Sequence, residues 1–169
     1  MSERKYAHYI ATGLGKHPPV PAQEWALARQ KEMGNYAEIA IASIINDAVV
    51  PGSFFMMGGW ILGLKGTKPV ITDFPHAHDY DEILGFTGSN VSNLEELGGE
   101  IEFWLEDEQY ILTKSCLIFI PRGMKHGPLS VRRFERPWFA YTAALNGAYA
   151  RSWEEDPAVS LGDQPAEGR

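Results

Sequence analysis

The clearest alternation in the chain is EIEFWLE at residues 100–106, where Ile101, Phe103 and Leu105 share one side and three glutamates with Trp104 share the other. A period of two is the signature of a strand with one buried face. Short β-type stretches of this kind follow one another from residue 51 onward, at 53–64, 70–72, 82–87, 100–105, 109–113, 117–120, 129–134 and 138–143. Turn residues separate them, and many short strands at close spacing predict a β-sandwich or small barrel. The first fifty residues read differently. Residues 6–12 (YAHYIAT) are expected as a strand and 13–21, with three prolines, as an extended connector. Residues 21–33 predict a helix: Pro21 suits a first helical position, Trp25, Leu27 and Ala28 supply apolar contacts, and Gly34 stops it. The isoleucines of 36–45 fit either a strand or a buried helix, with strand preferred. Residues 90–99 (NVSNLEELGG) read as a loop with one helical turn, and 154–169 as a polar tail. The organisation expected is an arm with a helix at 1–50, a barrel at 51–145 and a polar C-terminal tail at 146–169.

Composition narrows the class without choosing a function. With 12% aromatic and 22% charged residues the chain is of the globular type, and 169 residues suffice for one core. A formal charge of −7 gives no support for nucleic acid or an anionic membrane as partner. Cys116 is the only cysteine, so no intrachain disulfide is possible, and a cytoplasmic location is expected. Neither a membrane-length apolar run nor a signal-peptide pattern is expected from the sequence, and the sequon at Asn90 is read as accidental.

The chain has five histidines and places two of them in FPHAHDYDEILGFTG, residues 74–88. On a strand His76, His78, Tyr80 and Glu82 would share a face. On a helix, at about 100° per residue, His76 and His78 would diverge. Pro75 before the pair and Ile83, Leu84 and Phe86 after it favour the strand. Two imidazoles and a carboxylate then make three sides of a site for a first-row metal. His126 is the fourth candidate ligand. It follows IFIPRGMK, where Pro121 ends an apolar strand and Gly123 can take the positive φ of a tight turn.

At these residues the chain resembles the cupin superfamily. Its first motif, G-x5-H-x-H-x3,4-E-x6-G, is matched by His76, His78 and Glu82; its second, G-x5-P-x-G-x2-H-x3-N, by Pro121, Gly123 and His126. Val70, Ser115 and Ser130 replace the leading glycines and the final asparagine, and Gly88 comes one residue early. The resemblance spans residues 50–145. It implies an all-β double-stranded β-helix, or jelly-roll barrel, with the N-terminal arm outside the core motifs. It also implies a divalent transition metal (Fe, Mn, Ni, Co, Cu or Zn) on His76, His78, Glu82 and His126, and a homodimer.

Four ligands leave coordination positions open, the mark of a catalytic rather than a structural site, and the absence of thiolates agrees. The expected function is a metal-dependent enzyme acting on a small organic molecule, with a dioxygenase preferred by analogy. A lyase, isomerase or decarboxylase using the metal as Lewis acid is the first alternative, and a non-catalytic small-ligand module the second. Tyr80 and Arg122 are candidate catalytic groups, the first as proton or hydrogen-bond donor and the second, with Lys125, as a clamp for a substrate carboxylate. Both charges read first as solvated loop residues. His8 and His17 read as surface groups and Cys116 as a buried structural thiol. Trp60, Trp104, Trp138, Phe103 and Tyr141 read as core, or as the lining of an aromatic pocket.

Overall fold

The computed structural model describes residues 4–12 and 21–154. Residues 7–9, expected in a strand, form a single exposed 3-10 turn instead. Tyr6, Tyr9 and Ile10 are all more than half exposed, and the backbone pairs within the turn, Tyr9 N–H to the Tyr6 carbonyl and Ile10 N–H to that of Ala7. The expected connector at 13–20 and His17 lie outside the described residues. Helix α1 (Pro21–Glu32) agrees with the pattern read from the sequence.

Strands β1 (Tyr36–Ile45) and β2 (Phe55–Lys65) pair antiparallel, so the isoleucine-rich stretch is a strand and extends the sheet. The chain then alternates between two sheets. Strands β3 (Val70–Asp73) and β4 (His76–Ala77) lie in one, and β5 (Glu82–Gly88) in the other. Strands β6 (Glu96–Leu105) and β7 (Glu108–Lys114) return to the first, and β8 (Cys116–Ile120) crosses again. Strands β9 (His126–Phe134) and β10 (Trp138–Ala144) repeat the crossing, and β11 (Trp153–Glu154) closes on β4. The result is a five-stranded sheet, β1-β2-β10-β5-β8, facing a sheet of order β11-β4-β9-β6-β7, with β3 also on β9. This winding of antiparallel strands back and forth between two sheets is a jelly roll, or double-stranded β-helix.

The core fills the space between the sheets. Ile61, Phe86, Ile120 and Trp138 from one sheet meet Leu97, Ile101, Phe103, Leu129 and Val131 from the other. β6 starts at Glu96, inside the stretch expected as loop, because Leu97 is fully buried in this core. Gly88 marks where β5 passes under that strand: a Cβ there would lie 1.9 Å from the Glu96 carbonyl oxygen. Residues 146–152, expected to open a polar tail, run back over the barrel. Phe55 donates its N–H to the Asn146 carbonyl and Ser152 to that of Ala77. Residues 155–169 of that expected tail lie outside the described residues.

Candidate metal centre

His76, His78, Glu82 and His126 come together, each at most 4% exposed. The route differs from the single strand face expected from their spacing. β4 ends at Ala77, the chain crosses between the sheets, and Glu82 opens β5 on the opposite sheet. His76 sits directly across from His126 in the β4–β9 ladder. His78 lies in the crossing, and its carbonyl accepts the Gly123 N–H at 2.8 Å. Gly123 has φ +79°, the left-handed turn expected of it, so the turn that launches β9 also fastens the crossing.

Hydrogen bonding fixes how the rings are protonated. Each Nδ1 faces a backbone carbonyl: His76 that of Phe74 at 2.7 Å, His78 that of Ala150 at 2.5 Å and His126 that of Met124 at 3.0 Å. A carbonyl only accepts, so each Nδ1 carries a proton, and in that tautomer Nε2 is the lone pair turned inward. Those lone pairs converge. Nε2 of His76 and His126 are 3.1 Å apart, and Glu82 Oε2 is 3.3 Å from Nε2 of both His78 and His126. His78 Nε2 has no hydrogen-bond donor. Three buried nitrogen lone pairs and a carboxylate oxygen with few protons among them repel one another unless a cation lies between them. The donor set suits a divalent first-row ion, and the three histidines can hold one.

Surrounding groups hold the set in this state. Burial drives the His76 pKa down to about 4, against the opposing pull of Asp73. For Glu82 burial acts to raise the pKa; a proton on the facing His126 or His78 Nε2 would lower it, and the Thr142 hydroxyl acts in the same lowering direction whether or not those nitrogens are protonated. Thr142, on β10, donates its hydroxyl to Glu82 Oε1. The Tyr149 hydroxyl lies 3.3 Å from His76 Nε2, and burial lifts its pKa well above that of a free phenol. Arg151 Nη2 holds Asp73 Oδ1 at 2.6 Å, and this pairing overcomes the burial of the Asp73 carboxyl to lower its pKa.

Tyr80 and Arg122 stand apart from the converging atoms. The Tyr80 ring stacks on His78 with centroids 4.8 Å apart, but its hydroxyl donates to the Ala150 carbonyl and accepts the Ala150 N–H. Burial raises its pKa to about 12. Arg122 is exposed on the turn before β9, where its N–H binds Asp81 Oδ1. Lys125 donates its backbone N–H to Glu106 on the same rim, and His8 is exposed beside Tyr9. Cys116 is half-buried against the core.

A cavity of about 160 Å³ opens beside the cluster and reaches His76, Glu82 and His126. Its walls are apolar, with Phe86, Phe103, Leu129 and Trp138 among them, and Ala26, Leu27 and Gln30 of α1 close one side. Trp138 and Phe103 thus line a pocket as well as packing the core, Tyr141 lines it from outside the core clusters, and Trp60 and Trp104 are not among the lining residues. Thr142, Tyr149, Asp73, Arg151 and Gln30 were not singled out in the sequence. Only Thr142 carried a signal, as an even-numbered position on the inward face of β10.

No protein-family model matches the chain, and no curated protein does. Solved structures do. Peruvianin-I, a cysteine peptidase from Thevetia peruviana latex, aligns at 15% identity over 88% of this chain and 78% of its own, with a TM-score of 0.51. KdgF from Halomonas sp. aligns at 16% over 66% and 79%, TM-score 0.41. An uncharacterised double-stranded β-helix protein from Klebsiella pneumoniae aligns at 10% over 72% and 86%, TM-score 0.44. With two sheets wound alternately and the histidines of both motifs gathered together, the chain has a double-stranded β-helix fold.

Proposed function

We propose that the protein is a metal-dependent enzyme that acts on a small organic molecule, with His76, His78, Glu82 and His126 as ligands of one divalent transition ion. The observation that carries this is the set of three Nε2 lone pairs and one carboxylate oxygen converging while every Nδ1 is committed to a carbonyl. When bound, such an ion supplies a Lewis acid and, if it is redox-active, a route for electrons to oxygen. Four ligands leave one or two positions for substrate oxygens, and the adjoining cavity gives a substrate somewhere to sit.

The chain's own groups have separable tasks in this reading. The carbonyls of Phe74, Ala150 and Met124 keep the rings in the ligating tautomer. Thr142 orients Glu82, Tyr80 supports His78 through its ring, and the apolar walls keep water from the reacting atoms. Arg122, on the exposed rim, is retained only as a contact for a charged substrate on its way in. A dioxygenase remains the preferred chemistry, and substrates rather than nucleic acids are the proposed partners of a chain of charge −7. Among the described residues no helix is long and apolar enough to cross a membrane. We place the protein in the cytoplasm and, because of the apolar outer face of its five-stranded sheet, as a homodimer.

The test is elemental analysis of protein purified without oxygen, followed by a metabolite screen with and without oxygen. About one ion per chain is expected, and loss of most of it in a His76→Ala/His126→Ala variant. Full occupancy in that variant overturns the site. Full turnover by the Zn(II) form without oxygen overturns the dioxygenase and leaves Lewis-acid chemistry, while binding with no turnover of any kind leaves a ligand-binding module.

A further inference from the structure

Gln30 is 1% exposed and lies on α1, where it forms part of the wall of the cavity that holds the histidines. Its Nε2 donates to the Thr72 carbonyl at 2.9 Å. A backbone carbonyl cannot donate, so the amide cannot be turned over, and Oε1 is fixed on the other side. That oxygen is buried and has no hydrogen-bond partner. Buried acceptors are paired almost without exception, and one left bare in a cavity wall calls for a donor that the chain does not supply. Other polar side chains of the wall are already engaged: Thr72 with the Leu129 carbonyl, Asp73 with Arg151, and Thr142 with Glu82. The remaining wall is chiefly aliphatic and aromatic. Its volume of about 160 Å³ is close to the ~150 Å³ of an apolar cavity that accepts benzene.

We propose that the ligand of this cavity is a single-ring-sized, mostly apolar molecule that presents oxygens to the metal at one edge and, away from them, an N–H or O–H to Gln30 Oε1. Gln30 is then a binding residue that selects for the donor and sets the ring's orientation. This rests on the metal reading above, since the oxygen edge needs an ion to hold it.

Two probes differ in this feature alone at one ring position. 3-Hydroxy-4-pyridinone chelates through adjacent oxygens and carries a ring N–H; 3-hydroxy-4-pyranone has a ring oxygen there. Each is titrated calorimetrically into full-length protein loaded with Zn(II), using wild type and Gln30→Met. The preference for pyridinone over pyranone should be about tenfold greater in wild type than in the variant, the size of one neutral hydrogen bond. The ratio removes their difference as chelators and any general loosening of α1. Wild type alone gives a second measurement should the variant not fold: 1-methyl-3-hydroxy-4-pyridinone, which lacks the donor, should lose at least the same factor against its parent. Equal preference in wild type and variant, or undiminished binding of the methylated ring, overturns the role of Gln30 while leaving the metal site standing, and a water on Oε1 would give that result. Protein that takes up no Zn(II) overturns both readings, and protein that takes it up but binds neither probe overturns the ligand class alone.

Discussion

Thr142 shows how a residue outside the ligand set can govern it. Its hydroxyl is the donor to Glu82 Oε1, while Oε2 of the same carboxylate points at the two imidazoles. Removing that donor frees the carboxylate to rotate and leaves it less well solvated. Thr142→Val, which keeps the shape, should weaken metal affinity by about 10- to 100-fold without changing the stoichiometry. A competition titration with a chelator measures this, and an unchanged affinity would show that Thr142 serves packing alone. Spacing made the proposed ligands legible as candidates, because imidazoles and a carboxylate at fixed intervals suit a metal ion. It could not reach Thr142 or Tyr149, whose roles depend on strands distant in sequence. The substituted motif positions tell the same story. Ser115, where the family motif has glycine, accepts the Gly88 N–H at 3.0 Å and donates to the Leu94 carbonyl at 2.8 Å, so its hydroxyl joins two loops that a glycine would leave unlinked.

Among the elements, periodicity located β2, β5, β8, β10 and α1 well because each has a more buried side, and β7 although nearly all of it is exposed. It failed at residues 6–12, where residues 7–9 form a 3-10 turn with Tyr6 and Tyr9 exposed, and at the start of β6, where Leu97 rather than a repeating pattern anchors the strand. The sharpest miss is the segment after β10. Residues 149–151 read as polar chain, yet Ala150 binds the Tyr80 hydroxyl through both its N–H and its carbonyl and also receives His78 Nδ1–H. Nothing local in the sequence could announce a latch built on backbone atoms. Tyr80→Phe keeps the ring stacked on His78 but deletes both hydroxyl bonds. We expect a loss of about 1–3 kcal/mol in denaturant unfolding, with metal stoichiometry preserved. Unaltered stability would show that this segment does not depend on Tyr80.

At the scale of the whole molecule two properties can be tested, the proposed self-association and the response to acid. Met56, Trp60 and Leu62 of β2 and Leu117 and Phe119 of β8 are exposed on the outer face of one sheet, with Ile83 and Phe139 on the strands between. A Leu117→Glu/Phe119→Glu variant should sediment as a monomer where wild type sediments as a dimer, and a variant that remains dimeric would move the contact elsewhere. The acid response comes from the metal centre. In metal-free protein burial holds His76 at a pKa of about 4, below its ordinary 6.5. Between those values the unfolded chain binds a proton at this residue and the folded chain does not, so folding stability must fall as pH drops from 6.5 toward 4. His76 alone contributes on the order of 3 kcal/mol over that window. Asp73 carries a lowered pKa, held down chiefly by Arg151, so its stabilisation is lost at lower pH still, as its carboxyl protonates in the folded protein. Metal reverses the first loss only while it stays bound, because it stabilises the folded state by mass action and competes with protons for the same nitrogens. Thermal unfolding of metal-free and metal-loaded protein should therefore diverge most near neutral pH and converge as the pH approaches 4. Metal-free protein whose melting temperature stays flat across that range would mean that the His76 ring is not held neutral by burial, and the poised set of bare nitrogens would lose its physical basis.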